Sequence, residues 1–185
     1  MGVDITGSTL GLIGFGRIGQ AIARRAQGFA MRVLFYDPHL TEIPSDVKAE
    51  LVTLKELLRL SDFVSLHAPL DAHTRAMINA DTLALMKAGA ILVNTARGAL
   101  VDQNALFDAL QSRKLAYAAL DVTDPEPLPM ESPLLTLDNL IITPHIASAS
   151  HSTRDRMAVM AVQNLIAGLQ GKRLPWCVNP EIYAK

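Results

Sequence analysis

Three features of the sequence predict a parallel, doubly wound α/β sheet. Short apolar runs recur along the chain, stretches of helical spacing separate most of them, and the runs are apolar throughout rather than alternating. Strands with no polar face call for a sheet covered on both sides, and a strand-helix alternation calls for parallel strands joined by right-handed crossovers. With 185 residues, half of them apolar, the chain can fill one core and is expected to form a single domain.

The runs read as strands lie at 9–13, 32–36, 62–66, 90–93, 116–120 and 140–143. In the first helical stretch Ile18, Ile22, Ala26 and Phe29 share a face; in the last long one Met157, Ala161 and Leu165 do, with Ala158, Val162 and Leu169 beside them. Ser61-Asp62 ends a leucine-rich helix, Asn79 and Asp81 are placed to cap the next, Gly89 reads as a C-terminal glycine, and Asp102 precedes the helix QNALFDALQ. His151 opens the last helix. Residues 123–139 hold four prolines and two glutamates between two strands, a long loop of the kind that usually carries function. One domain is expected over 1–169, with 170–185 a polar, proline-interrupted tail that leaves it.

Composition narrows the function. A net charge of −1 and a pI near 6.5 give no electrostatic footprint for nucleic acid or an anionic membrane, so neither is an expected partner. No membrane span and no secretory signal is visible, which makes the cytoplasm the expected location. Cys177 is the single cysteine, excluding an internal disulfide and a cysteine metal cage. His39, His67, His73 and His151 share no ligand spacing, so no metal is expected.

GLIGFGRIGQ, residues 11–20, carries a Gly14-x-Gly16-x-x-Gly19 pattern between a strand and a helix. The first glycine allows a tight turn, the second lets the backbone approach a pyrophosphate, and the third lets the helix sit close to the sheet, with its N-terminal N–H groups free for an anion. The next strand ends at Asp37, 18 residues after Gly19, where a carboxylate accepts hydrogen bonds from ribose hydroxyls. It also repels a 2′-phosphate, which favours NAD over NADP. The plainer reading of Asp37 is an acid that caps a strand end.

Ligands of an open α/β sheet sit beyond the carboxyl ends of its strands. There the sequence places LHAPLDAHT, with Pro69 halting a strand and Thr74 available to a phosphate, then VNTARGALVD, LDVTDPEP and TPHIASAS. Arg97, Glu126 and His145 stand out as a fixed cation, an acid and a titratable base on one edge. A proton donor and a nearby cation can both stabilise negative charge that develops in a reaction. A carboxylate beside an imidazole favours its charged form and fixes the ring, and a guanidinium binds a carboxylate at two points. Each also has a plainer reading, as a surface arginine, a loop acid and a turn histidine.

The segments LGLIGFGRIGQAIARRA, NTARGALVDQNAL, ALDVTDPEP and PLLTLDNLIITPHIASAS resemble the nucleotide-binding domain, a Rossmann fold, of the D-isomer-specific 2-hydroxyacid dehydrogenases over residues 7 to about 180. Their later blocks are most similar to the glyoxylate and hydroxypyruvate reductase branch. The resemblance implies NAD-dependent interconversion of a 2-oxo acid and its D-2-hydroxy acid. It implies that Arg97 holds the substrate, Glu126 pairs with the catalytic histidine, and His145 donates the proton. Around the cofactor it implies Gly14, Gly16, Arg17, Ile18, Gly19, Asp37, Ala68, Pro69, Thr74, Thr95, Ala96, Arg97, Asp121, His145 and Ala147. It implies a homodimer. Glu126, rather than a neutral amide, disfavours formate as substrate.

The family carries an N-terminal substrate domain to which the tail returns. The chain starts at Met1, a few residues before the first apolar run, so that domain is expected to be absent and Trp176 and Ile182 to pack elsewhere. Two functions follow: a dehydrogenase present as its cofactor-binding part, inactive or slow alone, or a non-catalytic dinucleotide-sensing or scaffolding module. A methyltransferase or flavoprotein reading of the glycine loop leaves Arg97, Glu126 and His145 unexplained.

Overall fold

The computed structural model describes residues 3–40 and 42–184. By contacts the chain divides into two compact units, Met1–His145 and Ile146–Lys185, so the long last helix is grouped with the tail.

The first unit is a seven-stranded sheet, β1 (Thr9–Ile13), β2 (Arg32–Tyr36), β3 (Glu50–Leu51), β4 (Phe63–Leu66), β5 (Ala90–Asn94), β6 (Leu115–Leu120) and β7 (Leu140–Ile142). The spatial order is β3-β2-β1-β4-β5-β6-β7 and every pairing is parallel. The six expected strands are all present. β3 adds a seventh that no apolar run announces, because its two residues are exposed and it pairs only at the sheet edge. The strand order reverses between β1 and β4, which opens a crevice at their carboxyl ends.

Helices α1 (Arg17–Ala26), α2 (Leu54–Leu60), α3 (Ala80–Leu85) and α4 (Gln103–Gln111) cover the sheet. Leu57, Leu58, Leu83, Leu106 and Leu110 of α2 to α4 pack with Ile13, Val64, Leu66, Leu92 and Leu120 in one core. Ala23 and Ala26 of α1 pack with Leu10, Leu12, Phe15, Val33 and Phe35 in a second. Two expectations shift here. Ile18 and Phe29 are exposed, at 62% and 54%, and α1 buries Gly19, Ala23 and Ala26 instead, because small residues let the helix approach the sheet. Burial on β5 alternates, and Tyr117 of β6 and Ile141 of β7 are exposed, so these apolar runs are not buried throughout.

Caps follow the sequence signals except at Asp81, which lies inside the first turn of α3, and at Gly89. Asn79 accepts from the Asp81 and Thr82 amides in a capping box on α3, and Asp102 accepts from Asn104 and Ala105 at the start of α4. Gly89 does not cap α3, which ends at Leu85. With φ of 80° it makes the turn into β5.

The second unit consists of α5 (His151–Leu169) and the residues after it. Ser150 caps α5 and His151 is its first residue. The tail does form structure: Asn164 exchanges two hydrogen bonds with the Trp176 backbone, at 3.0 and 3.2 Å, and the indole N–H donates to Gln163. Residues Pro180–Tyr183 make a 3₁₀ turn whose tyrosine hydroxyl accepts from Leu174 N–H. A polar tail lacking periodicity therefore folds back through hydrogen bonds that a hydrophobic pattern does not reveal.

Candidate active site

The glycine loop leaves β1 at Ile13 and enters α1 at Arg17. Gly14 has φ of 88°, and a Cβ there would lie 2.5 Å from the Ala68 nitrogen. It permits both the turn and the close approach of the β4 end. A Cβ on Gly19 would meet the Gly14 carbonyl, whereas one on Gly16 would project into open space. The α1 N-terminus has no side-chain cap and no acid in its first turn. Phe15, which the glycine pattern treats as a spacer, is fully buried and stacks on Phe35 at 3.9 Å between ring centroids.

Asp37 at the end of β2 accepts from the Phe15 amide at 2.9 Å and from the His39 amide at 3.0 Å. Its carboxylate thus fastens the glycine loop to β2. A cavity of about 540 Å³ lies beside it, lined by Gly14, Asp37, Leu54, Ala68, Pro69 and Thr74 among others. The Thr74 hydroxyl donates to the Pro69 carbonyl at 2.7 Å and accepts from Asp71 N–H at 2.8 Å; it closes its own loop rather than standing free.

A second cavity, about 510 Å³, is lined by Ile18, His67, Ala68, Pro69, Thr95, Ala96 and Arg97. Arg97 is exposed and its Nη1 donates to the Ala96 carbonyl. Asn94, wholly buried at the end of β5, donates to the Arg97 carbonyl at 2.9 Å and accepts from Ala96 N–H at 3.0 Å. It holds the turn that aims Arg97. The signal was in the sequence: an amide ending an otherwise apolar strand. His67 carries a 2.9 Å contact from its Nε2 to the hydroxyl of Ser65, and burial pushes its imidazole pKa down to about 4.

The third cavity, about 430 Å³, lies at the ends of β6 and β7 and is lined by Asp121, Thr123, Glu126, Leu128, Thr143 and His145. His145 Nδ1 lies 2.7 Å from Glu126 Oε1. An ionised carboxylate only accepts, so Nδ1 carries the hydrogen and Nε2 is the ring nitrogen left outside this bond. His145 adopts φ of 53°, and its amide donates to the Asp121 carbonyl at 2.9 Å. The buried Asp121 carboxylate accepts from the Thr143 hydroxyl at 2.5 Å. The fold thus brings Glu126 and His145 together across 19 residues, while Arg97 borders a different concavity, with Thr95 and Ala96, and makes no hydrogen bond or ion pair with the two among the described residues. Ala147 falls in the second unit.

The profile of the D-isomer specific 2-hydroxyacid dehydrogenase family, NAD binding domain, matches residues 1–147. The chain belongs to that family. It is 51% identical over 183 residues to the glyoxylate reductase of Korarchaeum cryptofilum, covering 98% of this chain and 55% of the relative. It superposes on the crystal structure of TT0316 protein from Thermus thermophilus with a TM-score of 0.90 at 52% identity, over 96% of this chain and 56% of that one. On an acyclic imino acid reductase in complex with NADPH and D-Arg the TM-score is 0.84 at 32% identity, over 94% of this chain and 55% of that one. The chain spans about half the length of the curated relatives it matches. As a member of this family it presents the family's nucleotide-binding domain. Among the described residues no helix is long and apolar enough to cross a membrane, and no group of three or more His, Cys, Asp or Glu side chains is arranged to hold a metal.

Proposed function

We propose that this chain binds NAD(H) and forms the cofactor-binding part of a dehydrogenase interconverting a 2-oxo acid, of the glyoxylate or hydroxypyruvate kind, with its D-2-hydroxy acid. The observation that carries the reading is the 2.7 Å pairing of His145 with Glu126 at the carboxyl edge of the sheet whose first crossover holds the glycine loop. The relatives named glyoxylate reductase support the substrate class.

The residues present fit the cofactor. The space over Gly16 that a Cβ would enter and the uncapped α1 N-terminus, flanked by Arg17 and Ile18, suit a pyrophosphate. Asp37 keeps lone pairs free for ribose hydroxyls and opposes a 2′-phosphate. Ala68, Pro69 and Thr74 line the cavity beside Asp37, Thr95 and Ala96 the one beside Arg97, and Asp121 the one beside the paired residues, which supports a role for each along the cofactor. A nicotinamide held there would supply or take the hydride. Arg97 binds the substrate carboxylate with its planar fork and opposes charge on the carbonyl oxygen. His145 donates a proton to that oxygen through Nε2, while Glu126 holds the ring in place.

The pair is open to water, with side-chain exposures of 51% for His145 and 42% for Glu126, so this chain by itself does not seclude the reaction. NADH fluorescence titration is expected to show saturable binding, tighter than for NADPH. NADH oxidation with a panel of 2-oxo acids is expected to give kcat/KM below about 10⁴ M⁻¹s⁻¹, the low end for ordinary enzymes. Absence of NADH binding overturns the reading. Tight binding with no turnover, and none from a longer protein containing these residues, favours the non-catalytic binding module. The same reading carries a cytoplasmic homodimer, checked by light scattering.

A further inference from the structure

Glu126 sits on a proline-rich loop, yet its carboxylate is held at hydrogen-bond distance from His145. What fixes the loop comes from the opposite side. The Gln103 side chain, at the start of α4, donates from Nε2 to the Asp124 carbonyl and accepts at Oε1 from the Asp124 amide at 3.3 Å. One side-chain amide therefore engages both backbone polar groups of a single residue, two positions before Glu126. Asn164 holds Trp176 in the same way in the second unit.

The neighbouring contacts sharpen this. A Cβ on Gly98 would overlap the Thr123 carbonyl oxygen and lie 2.7 Å from the Asp124 nitrogen, so the loop is pressed against the turn that leads into α4. The Thr123 hydroxyl donates to the Pro125 carbonyl at 2.9 Å. Arg75 approaches the Asp124 carboxylate only to 3.7 Å, between exposed side chains, a weak hold. Gln103 and Asp124 line a separate cavity of about 570 Å³ with Arg75, Asp102 and Pro125, whereas Glu126 and His145 line the 430 Å³ one. Gln103 does not border the cavity that Glu126 and His145 face.

We infer that Gln103 is a positioning residue for the Glu126–His145 pair: it fixes the backbone at Asp124 and so sets where the Glu126 carboxylate meets the imidazole. The catalytic meaning of this role rests on the function proposed above; the geometric role does not. Glutamine is needed because it both donates and accepts. Glutamate would keep the acceptor, lose the donor and set a carboxylate against the Asp124 carbonyl.

The test reads the His145 ring nitrogens by ¹⁵N NMR at pH 8 in the whole chain, with Glu126→Ala defining the unpaired spectrum. Gln103→Ala is expected to move the His145 signals at least about half-way toward that spectrum, with NADH affinity within about twofold of the parent, which a general loss of structure would not spare. Should Gln103→Ala fail to fold, the isosteric Gln103→Glu decides by the same signals. A His145 spectrum unchanged in a folded Gln103 variant overturns the inference, as does a parent spectrum identical to that of Glu126→Ala. If the pair is seen and responds to Gln103 but no NADH binds, the proposed function fails and the positioning role stands.

Discussion

The two ends of one sheet edge are held by different forces. Beside β1, β2 and β4 the glycine loop is clamped by close packing: Phe15 is buried on Phe35, and the spaces at Gly14 and Gly19 are filled by backbone atoms. Beside β5, β6 and β7 the exposed side chains of Arg97, Glu126 and His145 stand on turns tied by hydrogen bonds with Asn94 and Gln103 and by one that the His145 amide donates to the Asp121 carbonyl. Packing fixes a backbone shape, which is what the approach of a pyrophosphate requires. Directional bonds fix the aim of individual side chains, which is what proton transfer requires.

The largest effect expected from this contrast is at the packed end. Gly14→Val puts a β-branched residue at φ of 88° with its Cβ 2.5 Å from the Ala68 nitrogen. Strain and overpacking together are expected to cost about 3 kcal/mol or more, and NADH affinity to fall at least a hundredfold. Urea unfolding and fluorescence titration measure the two. Near-parent values for both would mean that the loop tolerates what its packing forbids.

Gly98→Ala probes the hydrogen-bonded end, where the new methyl would overlap the Thr123 carbonyl oxygen. The loop has to retreat, at a cost on the order of 2–3 kcal/mol. The distinguishing outcome is that NADH affinity changes less than about tenfold while the His145 ring signals move toward those of Glu126→Ala. Equal damage to both readouts would erase the division between the ends.

Legibility in the sequence divides along similar lines. The strands, the glycine loop and Asp37 were readable because apolar runs and glycines leave periodic or spaced signals. Glu126 and His145 were named from their place after strands, but nothing in their spacing says that they meet; that comes from the parallel pairing of β6 with β7. Phe15 and Gln103 leave no periodic signal, because their work is done by contacts with Phe35 and Asp124, and Asn94 shows only as an amide that ends an apolar strand. β3 escaped because two exposed residues pairing at an edge need no hydrophobic run.

His67 lies between the two ends and supplies a pH-dependent test. Burial lowers its pKa to about 4, against about 6.5 in an unfolded chain. Above about pH 6.5 both states hold the ring neutral and it contributes no pH dependence. As pH falls from 6.5 toward 4 the unfolded chain takes up the proton and the folded one resists it, so stability drops by on the order of 2–3 kcal/mol and levels off below 4. Other acids titrate in this range, and the difference between the parent and His67→Asn isolates the ring. Equal slopes in the two proteins over this window would show that the imidazole is solvated.

The smallest expected effect lies away from both ends, and it sharpens the contrast by being local. Asn79 caps α3, accepting from Asp81 N–H at 3.1 Å and Thr82 N–H at 3.2 Å. Asn79→Ala leaves those amides without their side-chain acceptor and is expected to cost about 1 kcal/mol. Asn79 lines neither the glycine-loop cavity nor the one at Glu126 and His145. NADH affinity and the His145 ring signals are therefore expected to match the parent within error while the urea midpoint falls. If a lost cap on α3 did shift the His145 signals, the two ends would share one mechanical support through the core beneath them, and the separation of packing from hydrogen bonding would have to be abandoned.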